Sequence, residues 1–133
     1  MHILAGMDEH QEPKKIRPVE DFERALGEEI SISIEYDLPL ILLLVFRRDG
    51  WNPRATSRIL DALRAVDIIA QPGPREIAVA LPNSGPDAAR AVERRLRRVL
   101  PDIAVGLTSR RDGDEAQDML NRAHRAAMRS SRR

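Results

Sequence analysis

The residues of this sequence that are best placed for chemistry lie beside a predicted β-hairpin in the middle of the chain. Two short apolar runs, residues 67–70 and 77–81, flank a segment at 71–76 whose prolines and glycine indicate a turn. Arg64 and Asp67 lie three residues apart at the start of this hairpin. A guanidinium is a planar fork of N–H donors and a carboxylate accepts hydrogen bonds, so the two side chains can contact each other or other polar groups. An ordinary surface ion pair has the same spacing and stays an alternative.

The periodicity of apolar residues predicts the elements that must position this hairpin. In chain order it predicts a helix from Pro18, a strand at 40–46, a helix opened by Asn52 and Pro53, the hairpin, a helix after Pro86, a strand at 103–107 and a helix at 115–129. The centre of this order is βαββαβ, the ferredoxin-like plan. We therefore expect an α+β fold with an antiparallel or mixed sheet, helices on one of its faces, and a long N-terminal helix before the core. The 40–46 strand is expected between the hairpin and the 103–107 strand.

Composition limits the partners that the chain can have. The 133 residues include 22 basic and 21 acidic side chains, 3% aromatic residues and no cysteine. Balanced charge gives no reason to expect an anionic polymer as partner, and few aromatic residues argue against base stacking, so we do not expect nucleic-acid binding. Contact with nucleic acid through the arginine-rich helix at 90–98 or the tail at 129–133 stays an alternative. The sequence predicts no membrane span and no disulfide, and a cytoplasmic location is the default expectation.

The chain divides into a short lead segment and one domain. Residues 1–17 have mixed charge and no periodicity, so we expect a flexible lead segment, followed by a single domain at 18–133. His2 and His10 lie in the lead segment without a third ligand at a useful spacing. We therefore expect no metal site there.

The hairpin resembles the signature hairpin of GGDEF domains, the family of diguanylate cyclases. In that family a strand that follows Arg-x-x-Asp leads into Gly-Gly-Asp/Glu-Glu-Phe and then into an apolar strand that ends in Leu-Pro. The corresponding residues here are Arg64, Asp67, Gly73, Pro74, Arg75, Glu76, Ile77, Leu81 and Pro82. The resemblance continues through the strands at 39–44 and 102–109 and the helix at 121–128, so it covers the chain after the lead segment. It implies the GGDEF fold, which elaborates the same βαββαβ plan.

The departures from the family fall on the positions that would bind metal. The resemblance implies two divalent ions, held between an Asp at the end of the first strand and the acidic third residue of the signature. Phe46 and Arg75 occupy these two positions, and a guanidinium would repel Mg²⁺. The segment at 47–52, where the family reads the guanine edge, is shorter by roughly ten residues. We therefore expect no catalysis, no bound metal and no cofactor.

The resemblance implies a different role for Arg64 and Asp67. They match the inhibitory site at which GGDEF domains bind the product cyclic di-GMP, with the arginine on phosphate and guanine and the carboxylate accepting from the base. Cyclic di-GMP is therefore the candidate ligand of this pair. The ordinary surface ion pair remains the competing explanation.

Residues 30–36 fit two structures. Their alternation of Ile and Ser by itself favours a strand, whereas Leu26 and Ile30 follow the spacing of a helix. We predict a helix because a long helix occupies this place in GGDEF domains. Ile30, Ile32 and Ile34 cannot then share one face, since residues two apart on a helix point about 200° apart. We expect a homodimer or another protein to cover the isoleucines that remain outside.

The functional hypothesis is a catalytically inactive GGDEF-like signalling domain that binds cyclic di-GMP or a protein. Residual cyclase activity is one alternative, although Glu76 alone cannot support it. Nucleic-acid binding through the arginine-rich helix is the other.

Overall fold

The fold is built on a five-stranded mixed sheet. The computed structural model describes residues 15–132. The strands are β1 (Ile16–Arg17), β2 (Leu40–Arg47), β3 (Ile68–Gly73), β4 (Glu76–Pro82) and β5 (Ile103–Ser109), and the helices are α1 (Val19–Tyr36), α2 (Pro53–Ala62), α3 (Pro86–Val99) and α4 (Ala116–Ser131). The strand order is β1-β3-β4-β2-β5, and every pair is antiparallel except β1 with β3. β2 therefore lies between the hairpin and β5, which confirms the predicted α+β topology.

Helices cover both faces of the sheet. Because side chains alternate along a strand, β2 contributes to two cores. Ile41, Leu43 and Val45 enter one core with α2 and α3, and Leu42 and Leu44 enter a second core with α1 and α4. The prediction of helices on one face is right for α2 and α3, which belong to the βαββαβ core, and wrong for the whole domain. A strand that is apolar at every position has to be covered on both sides, and α1 and α4 cover the second.

The hairpin is longer, and its turn tighter, than the sequence predicts. β3 continues to Gly73 and β4 begins at Glu76, so Pro74 and Arg75 alone form the turn. The pairing of β3 with β4 is irregular between Ala70 and Gly73. This irregularity lets the strand continue past a proline that the sequence pattern treats as a strand breaker.

α1 is helical through residues 30–36, so the predicted helix is confirmed and the competing strand does not form. Ile30 and Ser33 are buried on the face that α1 turns toward the sheet. The helix ends at Asp37, whose φ of 53° is left-handed, a conformation common at helix C termini. The Ser33 carbonyl oxygen accepts a hydrogen bond from the backbone N–H of Leu38 at 3.0 Å, which closes the last turn.

The chain enters the sheet before α1 begins. β1 pairs in parallel with β3, with Ile16 opposite Ile69, so the predicted lead segment at 1–17 is wrong at its last two residues. Ile16 packs against the core of α2 and α3. A strand of two residues has no periodicity that a sequence pattern can show. Pro18 is the N-cap of α1, so the helix starts at Val19, one position after the predicted start at Pro18.

The remaining predictions for the lead segment are not tested. Residues 1–14, which include His2 and His10, lie outside the described residues. The single domain at 18–133 and the cytoplasmic location likewise stay predictions. Within residues 15–132, no helix combines the length and the apolar character needed to cross a bilayer.

α4 packs directly on β5 at Gly106. A Cβ at this position would overlap the carbonyl oxygen of Ala123 and the backbone nitrogen of Ala127. A larger residue therefore does not fit unless α4 moves away from the sheet. This close approach fixes the position of His124, the next residue of α4, relative to the sheet.

Candidate functional site

The end of β2, the hairpin turn and α4 enclose a cleft that we call the tip cleft. Residues that line it include Phe46, Arg48, Asp49, Arg75, Glu76 and His124. Its volume of about 740 Å³ is in the range of sites for small molecules. Phe46 and Glu76 are direct partners in the β2–β4 pairing. The fold thus brings together the strand-end position and the signature positions that the sequence singled out.

The loop after β2 holds the hairpin turn in place. The carbonyl oxygen of Arg75 accepts hydrogen bonds from the backbone N–H of Arg47 at 2.9 Å and from the indole N–H of Trp51 at 3.1 Å. The backbone N–H of Trp51 also donates to the carbonyl oxygen of Pro74 at 3.1 Å. Gly50 lets the loop approach this closely, since its φ of 81° is left-handed. The backbone of the turn is therefore fixed while the Arg75 side chain stays exposed.

Charged groups of both signs line the tip cleft. Glu76 Oε2 lies 2.6 Å from His124 Nδ1, which is an ion pair when the imidazole is protonated. Arg48 and Arg75 are exposed, and neither forms an ion pair with any residue in the range 15–132. The cleft therefore presents the unpaired guanidinium groups of Arg48 and Arg75 beside the carboxylate of Glu76, which already contacts His124.

The lining of the tip cleft does not fit a pair of divalent ions. Mg²⁺ takes six oxygen ligands in octahedral geometry, and carboxylates are its usual protein ligands. Of the residues that line the cleft, Asp49 and Glu76 are the acidic ones, and Glu76 already contacts His124. Across the described part of the chain, no three His, Asp or Glu side chains converge as ligands of one metal ion. Arg48 and Arg75 add positive charge where a cation would have to enter.

Arg64 and Asp67 form a closed ion pair. Asp67 Oδ1 accepts from Nε and Nη2 of Arg64 at 3.1 and 2.8 Å, and Asp67 Oδ2 accepts from the backbone N–H of Arg64 at 2.8 Å. The Asp67 side chain is 0% exposed and that of Arg64 is 43% exposed. Arg64 Nη2 also donates to Ser84 Oγ at 2.8 Å. A guanine base would have to displace Arg64 from the carboxylate before Asp67 accepted from it, so their role in ligand binding stays a prediction.

The two predicted sites lie at opposite ends of β3. Arg64 and Asp67 precede the first residue of this strand, whereas the signature turn at Pro74 and Arg75 follows its last. A strand of this length spans about 20 Å. The structure therefore does not bring the Arg64–Asp67 pair to the tip cleft.

Arg122 holds α4 against β5 and the loop between them. Its Nη1 and Nη2 donate to the two carboxylate oxygens of Asp114 at 3.0 and 2.7 Å. Its Nε donates to Thr108 Oγ1 at 2.6 Å, and its Nη2 also donates to the Ser109 carbonyl oxygen at 2.9 Å. The hydrogen bonds from Arg122 hold the pKa of Asp114 below its ordinary value, although burial acts in the opposite direction. The same interaction raises the pKa of Arg122.

A second hollow adjoins the tip cleft along α4, and we call it the arginine hollow. It has a volume of about 330 Å³ and is lined by His124, Arg125, Met128, Arg129 and Arg132. His124 and Met128 line the tip cleft as well, so the two hollows are neighbours that share these side chains as a wall. The sequence prediction did not include this site. The signal for it was the spacing of Arg125, Arg129 and Arg132, which places them on one face of a helix.

The fold is shared with solved structures. The GGDEF domain of TpbB (YfiN) from Pseudomonas aeruginosa matches with a TM-score of 0.77 at 18% identity, over 84% of this chain and 82% of that one. The GGDEF domain of DgcB from Caulobacter crescentus, in complex with c-di-GMP, matches with a TM-score of 0.78 at 14% identity, over 91% of this chain and 88% of that one. Diguanylate cyclase SiaD from Pseudomonas aeruginosa, in complex with its activator SiaC, matches with a TM-score of 0.75 at 19% identity, over 98% of this chain and 64% of that one.

These structural matches establish the fold, and no sequence comparison contributes to that conclusion. No protein-family model and no curated protein sequence matches this chain. The chain has the fold of the GGDEF domains of diguanylate cyclases, which confirms the fold that the hairpin signature implied.

Proposed function

We propose that this chain is a catalytically inactive GGDEF-like domain that acts by binding another protein through the end of α1. The observation that carries the proposal is the exposure of apolar side chains. Ile32, Ile34 and Tyr36 have 41%, 58% and 63% of their surface exposed. They stand on the last two turns of α1, and we call them the helix-end surface. Large apolar side chains grouped at one place mark contact sites, since a partner would remove them from water.

The absence of catalysis is supported by the lining of the tip cleft. Phosphoryl transfer depends largely on bound metal ions that neutralise the phosphate charge. The positions at which the GGDEF signature has metal-binding carboxylates are Phe46 and Arg75 here. Without carboxylates to hold the ions, we propose that the cleft does not convert GTP into cyclic di-GMP.

The helix-end surface extends over two sides of α1. At 100° per residue, Ile32 and Tyr36 lie on one side of the buried stripe and Ile34 lies on the other. Ile30 and Ser33 are buried between them. A partner therefore has to contact the helix end from both sides in order to cover all three residues.

The charge around the helix-end surface indicates what kind of partner would bind there. The exposed neighbours Glu28, Glu35 and Asp37 are acidic, and α1 contains no Lys or Arg after Arg24. A second copy of the chain, docked symmetrically, would bring these carboxylates against one another at a cost in binding energy. We therefore propose a different protein, whose contact surface is basic where it meets Glu28 and Glu35 and apolar on either side, where it meets the isoleucines and Tyr36. SiaD in complex with its activator SiaC is a chain of this fold with a bound protein partner.

The experiment compares two exposed apolar positions in the same protein. A photoreactive amino acid is placed at Ile34 or, as a control, at Val66, which is 61% exposed but lies outside α1. The protein crosslinked from position 34 in cells is identified, purified and titrated against the domain. We expect Ile32→Glu to weaken its binding by at least about tenfold and Val66→Glu to leave it unchanged.

Three outcomes would overturn the proposed partner. Equal losses for Ile32→Glu and Val66→Glu would show that the contact is not specific to α1. Crosslinks from position 34 to a second copy of the chain alone would replace the proposal by a homodimer. No crosslinked protein from position 34 in the cells that express the chain would remove it.

Cyclic di-GMP binding at Arg64 and Asp67 is the second candidate function. The guanidinium of Arg64 is partly exposed and oriented by Asp67 and Ser84, so it presents a fixed fork to phosphate. The DgcB domain is a chain of this fold in complex with c-di-GMP. In a calorimetric titration we expect binding that Arg64→Ala weakens about ten- to a hundredfold. The absence of heat and of a thermal shift at saturating cyclic di-GMP would leave the pair with a structural role only.

A further inference from the structure

Five arginine side chains around the tip cleft and the arginine hollow have no acidic partner. Arg48 and Arg75 belong to the tip cleft, and Arg125, Arg129 and Arg132 belong to the arginine hollow. Among residues 15–132, none of these five guanidinium groups forms an ion pair or a side-chain hydrogen bond. Arg47, Arg97 and Arg122 are paired with Asp102, Glu93 and Asp114. Exposed arginines of α3, such as Arg94 and Arg98, form no ion pair among the described residues either, so the five are distinguished by lining two adjoining hollows.

The five arginines bring positive charge together at two adjoining hollows of a chain that is nearly neutral. The net charge of the whole sequence is +1. The acidic residues that line the two hollows are Asp49 and Glu76, and Glu76 contacts His124. The two hollows are therefore lined by five guanidinium groups and two carboxylates. A concave surface with such an excess of one sign focuses its field and attracts ions of the opposite sign.

The ligand chemistry follows from the groups that line the two hollows. A guanidinium presents a rigid fork of N–H donors that matches the oxygens of a phosphate group and needs no metal ion as a bridge. Phe46 and Met128 give the tip cleft an apolar wall. We propose that the tip cleft and the arginine hollow together bind a small phosphate-bearing anion directly, without a divalent metal.

A small anion fits the site better than a nucleic acid does. Both hollows are concave, whereas a nucleic acid requires a groove or a face that follows its backbone over many phosphates. The sequence is only 3% aromatic, so a base-stacking platform is lacking. The inference rests on the proposed inactive cleft, because a metal-dependent catalytic site would bind its phosphates through the metal.

The test measures phosphate binding with no divalent metal present. Inorganic tripolyphosphate is titrated into the protein in EDTA and followed by calorimetry. We expect saturable binding with one site, and we expect Arg75→Glu and Arg129→Glu each to weaken it by at least about tenfold. Arg94→Glu is the matched control, because Arg94 is exposed on α3 across the sheet and its replacement changes the net charge equally.

Further titrations test which phosphate compound binds and whether a divalent metal changes the affinity. ATP and GTP, titrated in EDTA, show whether a base adds affinity to the phosphate chain. Added Mg²⁺ is expected to weaken binding or leave it unchanged, since it neutralises the phosphates and finds no ligand set in the cleft. A thermal melt of each variant confirms that the exposed substitutions leave the fold intact.

Several results would overturn the inference. It fails if tripolyphosphate does not bind in EDTA, if binding requires Mg²⁺, or if Arg94→Glu weakens binding as much as Arg75→Glu does. Tighter binding of a single-stranded oligonucleotide, weakened equally by all three variants, would replace it by a distributed nucleic-acid surface. Production of cyclic di-GMP from GTP would instead refute the proposed function, so the two failures are distinguishable.

Discussion

At the scale of single residues, the tip cleft carries charge of the sign that a divalent ion avoids. An arginine in place of a carboxylate changes the local charge by two units. Two unit charges about 4 Å apart interact by about 4 kcal/mol at an effective dielectric constant of 20. Arg48 and Arg75 line one cleft, and their positive charge acts against Mg²⁺ and in favour of phosphate. The proposed lack of a metal site and the proposed anion site thus follow from the same electrostatic character of the cleft.

Asp67 is expected to matter for stability whether or not it binds a ligand. Its buried carboxylate accepts three hydrogen bonds from Arg64, which join the end of α2 to the start of β3. We expect Asp67→Ala to lower the free energy of unfolding by roughly 2–4 kcal/mol, since it removes the buried carboxylate that accepts from the guanidinium and the backbone N–H of Arg64. Urea denaturation at pH 7 measures the effect. Asp61→Ala removes an exposed carboxylate of α2 and should change stability by less than about 0.5 kcal/mol.

Equal denaturation midpoints for Asp67→Ala and Asp61→Ala would contradict this structural role. The comparison also bears on cyclic di-GMP binding. A variant of Asp67 that fails to bind ligand is informative only if it is folded under the conditions of the titration.

At the scale of elements, the sequence predicts the helices and strands whose buried residues recur at a regular spacing. α1 and β2 are found from the sequence because their apolar residues recur at the helical spacing and at every strand position. The period-two pattern at residues 30–36 misleads because the residues buried there are Ile30 and the polar Ser33, whereas Ile32 and Ile34 are exposed. The Ser33 hydroxyl accepts from Arg110 Nε at 2.7 Å, so a distant arginine makes its burial favourable. β1 and the tight hairpin turn leave no periodic signal and appear only in the structure.

The candidate sites were predicted from the sequence to different degrees. Phe46 and Arg75, which the hairpin signature singled out, line one cleft, because the pairing of β2 with β4 brings the end of β2 beside the hairpin turn. The Arg64–Asp67 pair is joined through Arg64 to Ser84, which comes from the far side of the hairpin, and no local pattern encodes that contact. The pairing of Glu76 with an α4 histidine is equally long-range.

The attachment of α4 to β5 is expected to weaken in acid. The pKa of Asp114 lies below its ordinary value of 3.8 because Arg122 donates hydrogen bonds to the charged carboxylate. A depressed folded-state pKa contributes stability above the unfolded-state pKa, and this contribution is lost as pH falls through the folded-state pKa. Asp114→Asn should therefore lower the free energy of unfolding by roughly 1.5–3 kcal/mol at pH 7.

The pH dependence separates the ion pair from simple packing. As pH falls below about 4, wild type should approach the variant in stability, because protonated Asp and Asn are then alike in charge. Thermal unfolding at a series of pH values from neutral to acidic measures the difference between the two proteins. A difference that stays constant over this range would show that Asp114 acts through packing alone.

At the scale of the whole molecule, the proposed contacts lie at opposite ends of the sheet. The tip cleft is at the end of β2, where Phe46 lies, and the helix-end surface precedes its start at Leu40. Eight extended residues span about 26 Å. The backbone N–H of Ser84 donates to the Pro39 carbonyl oxygen at 3.2 Å, so the Arg64–Asp67 pair lies toward the helix-end surface. Separation on this scale lets the domain bind an anion and a protein without direct competition, and variants at the two ends should act additively.

Restoring the missing acids is expected to restore metal binding without restoring catalysis. In the double variant Phe46→Asp with Arg75→Glu, two new carboxylates face the tip cleft beside Glu76, which gives a divalent ion oxygen ligands. Calorimetry should then detect Mg²⁺ binding that wild type lacks. Neither protein should make cyclic di-GMP from GTP with Mg²⁺ or Mn²⁺. The resemblance implies that the segment at 47–52 is shorter by roughly ten residues than the one that reads guanine in the family. Orientation of reactants accounts for about 7–11 kcal/mol of a barrier.

The assay needs an active GGDEF domain, run in parallel, to set the limit of detection. Turnover by wild-type protein that Glu76→Ala abolishes would refute the proposed lack of catalysis. Turnover by the double variant alone would show that metal carboxylates suffice and that the short loop still places the base. Mg²⁺ binding without turnover would locate the block in substrate positioning, because the metal site would then be present and the guanine-reading segment would be the remaining difference.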